Sequence, residues 1–280
     1  MRDIANEGGI VAISTGATAS NVTEKRVNGK LEHIPFAFRN TLQDADGAPA
    51  LVKYAINKKG LKRFALIKSQ NNEYSIGLAV FFEKAVKDNG GQIVIEQAIN
   101  DGDVDFSAQV TSIKKANVDA VIFTGYYQEA SSILLAMQAQ GLNIPLIGGD
   151  GLQSPDLWNI AKDASIGTMF YASFVADSDN SKVKEFKEKV QARGKDADTF
   201  SANGYDAAYL LVKAIEAAKV TDCSDKAQRD LIRVELNKIT DFDGVTGKMS
   251  IDDTGSTVKE PFLQEVVKNS DGSYGTKSLN

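Results

Sequence analysis

The sequence predicts an α/β protein with two lobes, one of them a parallel sheet covered by helices on both faces. Three observations carry this. Strand and helix signals alternate with short connections from Ala48 to Ser173. Apolar runs there end in glycine, tyrosine or acid, as buried parallel strands do at the rim of a binding crevice: Ile67-Lys-Ser-Gln-Asn-Asn-Glu-Tyr74, Val121-Ile-Phe-Thr-Gly-Tyr126 and Ile144-Pro-Leu-Ile-Gly-Gly-Asp150. Residues 180–237 read as three helices without a strand of their own, so they must pack on a sheet elsewhere, and residues 1–40 offer the only other one.

Taken in order, the strands are short apolar, β-branched or aromatic runs: Ile10–Ser14, Pro35–Arg39, Arg63–Ile67, Gln92–Glu96, Ala120–Thr124, Ile144–Gly148, Thr168–Ser173 and Pro261–Val267. The helices lie between them. Ala48–Lys59 carries Leu51, Tyr54 and Ala55, and Tyr74–Asn89 carries Leu78, Phe81, Phe82 and Ala85. Phe106–Ala116 carries Val110 and Ile113, and Gln128–Gln140 carries Ile133, Leu134 and Met137. A short helix begins at Pro155; Lys182–Ala192, Ala202–Ala218 and Asp225–Asn237 follow. Asn89-Gly90-Gly91 and Gln140-Gly141 read as glycine stops, Ser154-Pro155 as an N-cap serine with proline at the first helical position, and Asp103 or Asp105 as a further capping acid. Two lobes result, 1–42 with 178–258 and 43–177 with 259–270, the chain crossing between them at a hinge. Residues 271–280 read as a tail.

Composition narrows the function. The 280 residues are 42% hydrophobic and 25% charged, with a net charge of −5, so the chain is globular and carries no basic excess for nucleic acid. No apolar run approaches the roughly 20 residues that span a bilayer, so no membrane insertion is expected. A single cysteine, Cys223, and a single histidine, His33, leave no basis for a disulfide, a Cys- or His-based metal site or much acid–base chemistry near neutral pH. Neither Gly-x-x-x-x-Gly-Lys-Ser/Thr nor Gly-x-Gly-x-x-Gly occurs, so no cofactor is expected. Two tyrosines and an acid on one rim, Tyr74, Tyr126 and Asp150, point instead to a pocket for a small cationic or zwitterionic molecule. Each has a plainer reading, as a helix-start core tyrosine or a loop acid before a helix.

Several segments together resemble the periplasmic solute-binding proteins of ABC transporters, in the leucine/isoleucine/valine-binding group. They are Ile10-Val-Ala-Ile-Ser-Thr-Gly-Ala-Thr-Ala-Ser20, Phe38-Arg39-Asn-Thr41, Tyr74 with Gly77, Thr124-Gly-Tyr126, Gly148-Gly-Asp150-Gly151, Phe200-Ser-Ala-Asn-Gly-Tyr205-Asp206-Ala207 and Asp243-Gly-Val-Thr-Gly-Lys-Met-Ser-Ile-Asp-Asp-Thr-Gly255. The resemblance covers Asp3 to Lys268. It implies the α/β type I periplasmic-binding-protein fold, two doubly wound parallel-sheet lobes with a hinge. The first lobe is incomplete in this reading, because the family carries further chain ahead of the strand at Ile10. The chain is then expected to be truncated at its N-terminus, to lack a signal peptide, and to bind ligand weakly or not at all.

The resemblance implies a ligand site and assigns residues to it. Gly16, Ala17 and Thr18 would hold an amino-acid carboxylate through backbone N–H groups and the Thr18 hydroxyl, where an ordinary turn of small residues is the alternative. Tyr74 and Tyr126 would pack on the ligand, and Gly125 would let it approach the backbone. Asp150 would pair with an α-ammonium group. Phe200 would line the side-chain pocket, whereas Tyr205 and Asp206 read as helix-packing and N-terminal charge features. The expected ligand is a small amino acid, branched-chain or aliphatic. The expected partner is an ABC permease complex at the inner membrane, served by a periplasmic or lipid-anchored monomer that catalyses nothing. A ligand-sensing domain of a receptor or an amide-sensing regulator is the alternative.

Overall fold

A computed structural model of the chain describes residues 2–176 and 178–280. Met1 and Asp177, where the sequence reading starts the first lobe and ends the central segment, lie outside the described residues. The chain forms two compact units, Met1–Gln43 with Ser173–Glu260 and Asp44–Ala172 with Pro261–Asn280.

The second unit is built on a seven-stranded sheet. Its strands lie in the order Tyr274–Ser278, Phe262–Lys268, Met169–Ala172, Leu146–Gly148, Ala120–Phe123, Arg63–Ser69 and Gln92–Ile99. The five from Met169–Ala172 onward pair parallel, and the other two are antiparallel additions. Along Arg63–Ser69, Phe64 and Leu66 face one way and Ala65 and Ile67 the other, and all four are fully buried. Helices Ser107–Ala116, Tyr127–Ala139 and Pro155–Ala161 cover one face in a core that includes Val110, Ile133, Met137 and Leu157. Helices Asp44–Lys59 and Glu73–Asp88 pack together on the same sheet, against Met169–Ala172 and Arg63–Ser69 respectively. At the amino ends of the strands, the Asp119 carboxylate accepts the Lys62 and Arg63 N–H groups at 2.8 Å each, which hold its pKa below the usual value.

Strand order singles out one edge of this sheet. Arg63–Ser69 pairs with Gln92–Ile99 on one side and with Ala120–Phe123 on the other. The order therefore reverses between Arg63–Ser69 and Ala120–Phe123. Open α/β sheets bind ligands outside the carboxyl ends of strands at such a switch point, and the segments after these two strands carry Tyr74 and Tyr126.

The first unit has less sheet. Ala12–Ser14 and Ala37–Arg39 pair parallel, backed by a core of Phe38, Leu210, Ala214, Ile232, Leu236 and Met249. Helices Arg2–Gly8, Ser181–Gln191, Thr199–Ala218 and Lys226–Leu236 complete the helical part. Five strands here are absent from the sequence reading. The hairpin Glu24–Val27 with Lys30–His33 turns through Asn28 and Gly29, both at positive φ; its strands are charged, so hydrophobic alternation misses them. Phe242–Gly244, Gly247–Ile251 and Thr257–Val258 form a three-stranded antiparallel sheet. His33 ends a hairpin strand, and its Nε2 donates to the Ala37 carbonyl at 2.9 Å. Residues 271–280 are likewise more than a tail, because Tyr274–Ser278 pairs along Phe262–Lys268.

Candidate functional site

In the second unit, Tyr74, Tyr126 and Asp150 come together at the carboxyl edge. Asn72 caps the helix that carries Tyr74, its side chain accepting from the Tyr74 N–H at 2.9 Å and the Ser75 N–H at 3.2 Å. Ser75 Oγ accepts the Ser69 N–H at 2.8 Å and lies 3.0 Å from the Thr124 hydroxyl. The ends of two neighbouring strands and the start of the helix are thus bound into one frame. From it the Tyr74 hydroxyl donates to Asp150 Oδ1 at 2.9 Å, while the Gly151 N–H donates to the same phenol oxygen at 3.2 Å. The rings of Tyr74 and Tyr126 stack, with centroids 5.1 Å apart. Tyr127 turns away and packs on the core.

The glycines serve close approach within the chain. Gly149 has φ −84°, which any residue adopts. A Cβ there would lie 2.8 Å from the Tyr74 hydroxyl and Leu78 Cδ2 and 3.0 Å from the Tyr171 hydroxyl. One on Gly151 would lie 2.8 Å from the Gly125 carbonyl. At Gly125 a Cβ would collide with the Phe123 ring, so the chain's own packing also calls for a glycine there.

The electrostatics of this corner are unusual. Burial, reinforced by the charge of Asp44, pushes Asp150 up to about 7, against the lowering effect of the Tyr74 hydroxyl and the Gly151 amide. Burial and the same two carboxylates hold the Tyr74 phenol well above its ordinary range. Beside it the Tyr171 hydroxyl donates to Asp44 Oδ1 at 2.7 Å, and both residues are buried. The sequence reading misses Asp44 and Tyr171. Asp44 lies at the very start of the second lobe, ahead of the helix read from Ala48, and Tyr171 in a segment read as a core strand. The one available signal is Gly47, whose Cβ would strike the Tyr171 ring.

The other four candidates belong to the first unit. Gly16 and Ala17 are exposed, and the Phe200 ring, 64% exposed, lies 3.1 Å from where a Gly16 Cβ would stand. The Ala17 N–H already donates to Ser14 Oγ at 3.3 Å. Thr18 differs from its neighbours in being buried, with 5% exposure. Its carbonyl, at 2.8 Å, and that of Ala19, at 2.7 Å, accept from the buried guanidinium of Arg39. Arg39 is thus the clamp on this loop, a role the sequence reading does not assign. Asn203 Nδ2 donates to the Thr15 carbonyl at 3.1 Å, fixing the same loop from the helix side. Asp206 is buried and accepts from the N–H groups of Val245 and Thr246 and from the Thr246 hydroxyl.

Among the described residues no cluster of three or more His, Cys, Asp or Glu side chains could hold a metal ion, and no helix is long and apolar enough to cross a membrane. A half-buried carboxylate, supported by a phenol and flanked by a second aromatic face, suits an ammonium group attached to an apolar body.

The sequence model of the periplasmic binding protein family matches residues 1–272. A Leu/Ile/Val-binding protein of Rhizobium johnstonii is 29% identical over 263 residues, which make up 94% of this chain and 68% of that protein. A leucine-, isoleucine-, valine-, threonine- and alanine-binding protein of Pseudomonas aeruginosa is 27% identical over 254 residues, 90% of this chain and 64% of that one. The first curated relatives are thus spanned over 58% to 68% of their length. Among solved structures, a leucine binding protein from Thermotoga maritima superposes with a TM-score of 0.84 at 30% identity, over 99% of this chain and 74% of that one. A branched-chain amino acid transporter substrate binding protein from Streptococcus pneumoniae, solved in complex with isoleucine, gives 0.80 at 27% identity over 98% and 74%.

Proposed function

This chain belongs to the periplasmic binding protein family and has its α/β type I fold, and on that premise we propose that it captures a small amino acid with an aliphatic, branched-chain side chain for delivery to an ABC permease. One observation carries the reading. Asp150, half-buried and joined to Tyr74 at 2.9 Å, stands with two stacked tyrosines at the carboxyl edge of the parallel sheet. A carboxylate there accepts an α-ammonium group, and Tyr74 and Tyr126 offer flat surface to the aliphatic part. Gly16, Ala17, Thr18 and Phe200 are the contacts proposed from the first unit, with Arg39 holding the loop of the first three through the Thr18 and Ala19 carbonyls. The names of the relatives from Rhizobium, Pseudomonas, Thermotoga and Streptococcus support this ligand class. The protein acts by binding alone and makes no covalent change in its ligand. Its proposed place is the periplasm or the outer leaflet side of a membrane, and its proposed state is a monomer.

The test is a titration with leucine, isoleucine and valine into the millimolar range, followed by NMR so that weak binding is seen. Resonances of Tyr74, Tyr126 and Asp150 are expected to move. Asp150→Ala is expected to abolish the response, because truncating one partner of a desolvated charge pair costs about 3–5 kcal/mol. Unaltered binding by that variant removes Asp150 from the site. The absence of any response to the three amino acids in the wild type removes the ligand class.

A further inference from the structure

The loop that carries Gly16, Ala17 and Thr18 is held by its carbonyl oxygens. The Ser14 carbonyl accepts from the Asn40 N–H at 2.7 Å. Those of Thr18 and Ala19 accept from the Arg39 guanidinium at 2.8 Å and 2.7 Å. The Thr15 carbonyl accepts from Asn203 Nδ2 at 3.1 Å. Arg39, Asn40 and Asn203 are all buried, so these oxygens are drawn into the first unit.

The direction of one oxygen sets the direction of the next N–H. The Thr15–Gly16 bond is trans, and in a planar trans peptide the N–H points opposite to the C=O. Drawing the Thr15 oxygen inward therefore turns the Gly16 N–H outward, at a residue that is exposed. A carboxylate is attracted by an N–H and repelled by a carbonyl oxygen, so the orientation of this single peptide decides whether the loop welcomes an anion. The backbone alone does not fix it. Glycine accepts positive φ about as readily as negative φ, and the Thr15–Gly16 plane can turn over at little steric cost.

Asn203 supplies the constraint. Its Nδ2 also donates to Thr41 Oγ1 and to Ser173 Oγ, each at 3.2 Å, so the amide is anchored on both hydroxyls while it reaches Thr15. Its Oδ1 is buried and has no hydrogen-bond partner among the described residues, an arrangement that is unfavourable in itself. Turning the amide over would set Oδ1 against the Thr15 carbonyl, acceptor against acceptor. The side chain thus keeps the orientation that holds Thr15, and its own oxygen goes unpaired.

We propose that Asn203 is a positioning residue that locks the Thr15–Gly16 peptide with its N–H outward, and so makes the first unit select a ligand carboxylate over a neutral group at the same place. It acts through Thr15 and needs no contact with the ligand. The proposal rests on the reading of Gly16, Ala17 and Thr18 as the carboxylate contacts.

The test begins without ligand. The crystal structure of Asn203→Leu, which has no donor to offer, is expected to show the Thr15 carbonyl released from the interior and the Thr15–Gly16 plane turned. The wild-type orientation in the folded variant overturns the lock. If Asn203→Leu does not fold, Asn203→Ala, a good helix former, is judged by the same criterion.

Leucine and leucinamide are then titrated by NMR into the wild type and the variant. The two ligands share an ammonium group and a side chain, and differ in carboxylate against neutral amide. Leucine is expected to bind the variant about ten- to a hundredfold more weakly, with leucinamide little changed, so that the preference for leucine collapses. Equal weakening of both ligands shows a merely structural role and overturns the selectivity, as does an unchanged leucine affinity. A wild type that does not respond to leucine overturns the amino-acid reading and the selectivity with it. The lock is then decided by the ligand-free structure alone.

Discussion

Replacing Tyr74 by Phe removes one oxygen and leaves the ring. That oxygen donates to Asp150 at 2.9 Å and accepts from the Gly151 N–H at 3.2 Å. A hydrogen bond to a charged acceptor is worth about 1.5–3 kcal/mol. Its loss weakens the ionised form of Asp150 and moves the midpoint of its titration up by about one to two pH units from the value near 7. The wild-type carboxyl is then about half ionised at neutral pH, and the variant is ionised to about a tenth or a hundredth. An ammonium ligand that needs the carboxylate is therefore bound about five- to fiftyfold more weakly by the variant near neutral pH. Most of that deficit returns on raising the pH by two units, because the carboxylate is restored. The stacked ring stays, so a residual deficit at high pH measures the contact of the hydroxyl itself. The assay is leucine affinity by NMR titration across this range. Curves for Tyr74→Phe and the wild type that run parallel at every pH refute the reasoning, since they show that the phenol does not act through the ionisation of Asp150.

Other consequences are as direct. Gly149→Ala forces a Cβ to within 2.8 Å of Leu78 and the Tyr74 hydroxyl; denaturant unfolding is expected to show a loss of about 1–3 kcal/mol from overpacking, and ligand response should fall with it. Lys259, buried in the first unit, donates to Asn40 Oδ1 at 3.0 Å and Thr246 Oγ1 at 2.8 Å, and burial lowers its pKa to about 8. Its proton is held more tightly in the unfolded chain, so stability rises with pH between about 8 and the ordinary 10.5, by at most about 3 kcal/mol. Lys259→Met, measured by denaturation across that window, should lose this rise. For Asp150 the sign is opposite: the folded state binds its proton more tightly, so its contribution to stability is lost as pH climbs from the ordinary 3.8 towards about 7. Asp150→Asn should flatten that decline in an acid-side denaturation series.

The second unit was legible in the sequence because its strands are buried on both faces. Phe64, Ala65, Leu66 and Ile67 form an unbroken apolar run, and Leu146-Ile-Gly148 ends in the glycine its packing demands. The first unit was less so. Glu24-Lys-Arg-Val27 and Lys30-Leu-Glu-His33 pair through their backbones with little apolar alternation, and only Asn28-Gly29 signals the turn. The rim residues Tyr74, Tyr126 and Asp150 were readable because each follows a strand end closely. Asp44 and Tyr171 were not, since their meeting joins positions 127 residues apart in sequence, a proximity that no local pattern encodes. Arg39 was hidden for a related reason: its partners Thr18, Ala19 and Ser256 come from two distant segments.

The antiparallel strand Tyr274–Ser278 has a consequence for handling the protein. It covers the outer side of Phe262–Lys268, with Lys277 bridged to Glu265 at 3.0 Å and the Tyr274 hydroxyl donating to Asp163 at 2.7 Å. Trimming residues 271–280 would bare a row of unsatisfied amides and carbonyls beside Val266 and Leu263, a template for docking with other copies. These ten residues act as a guard against self-association, and a shortened chain is expected to elute as concentration-dependent oligomers where the intact one does not.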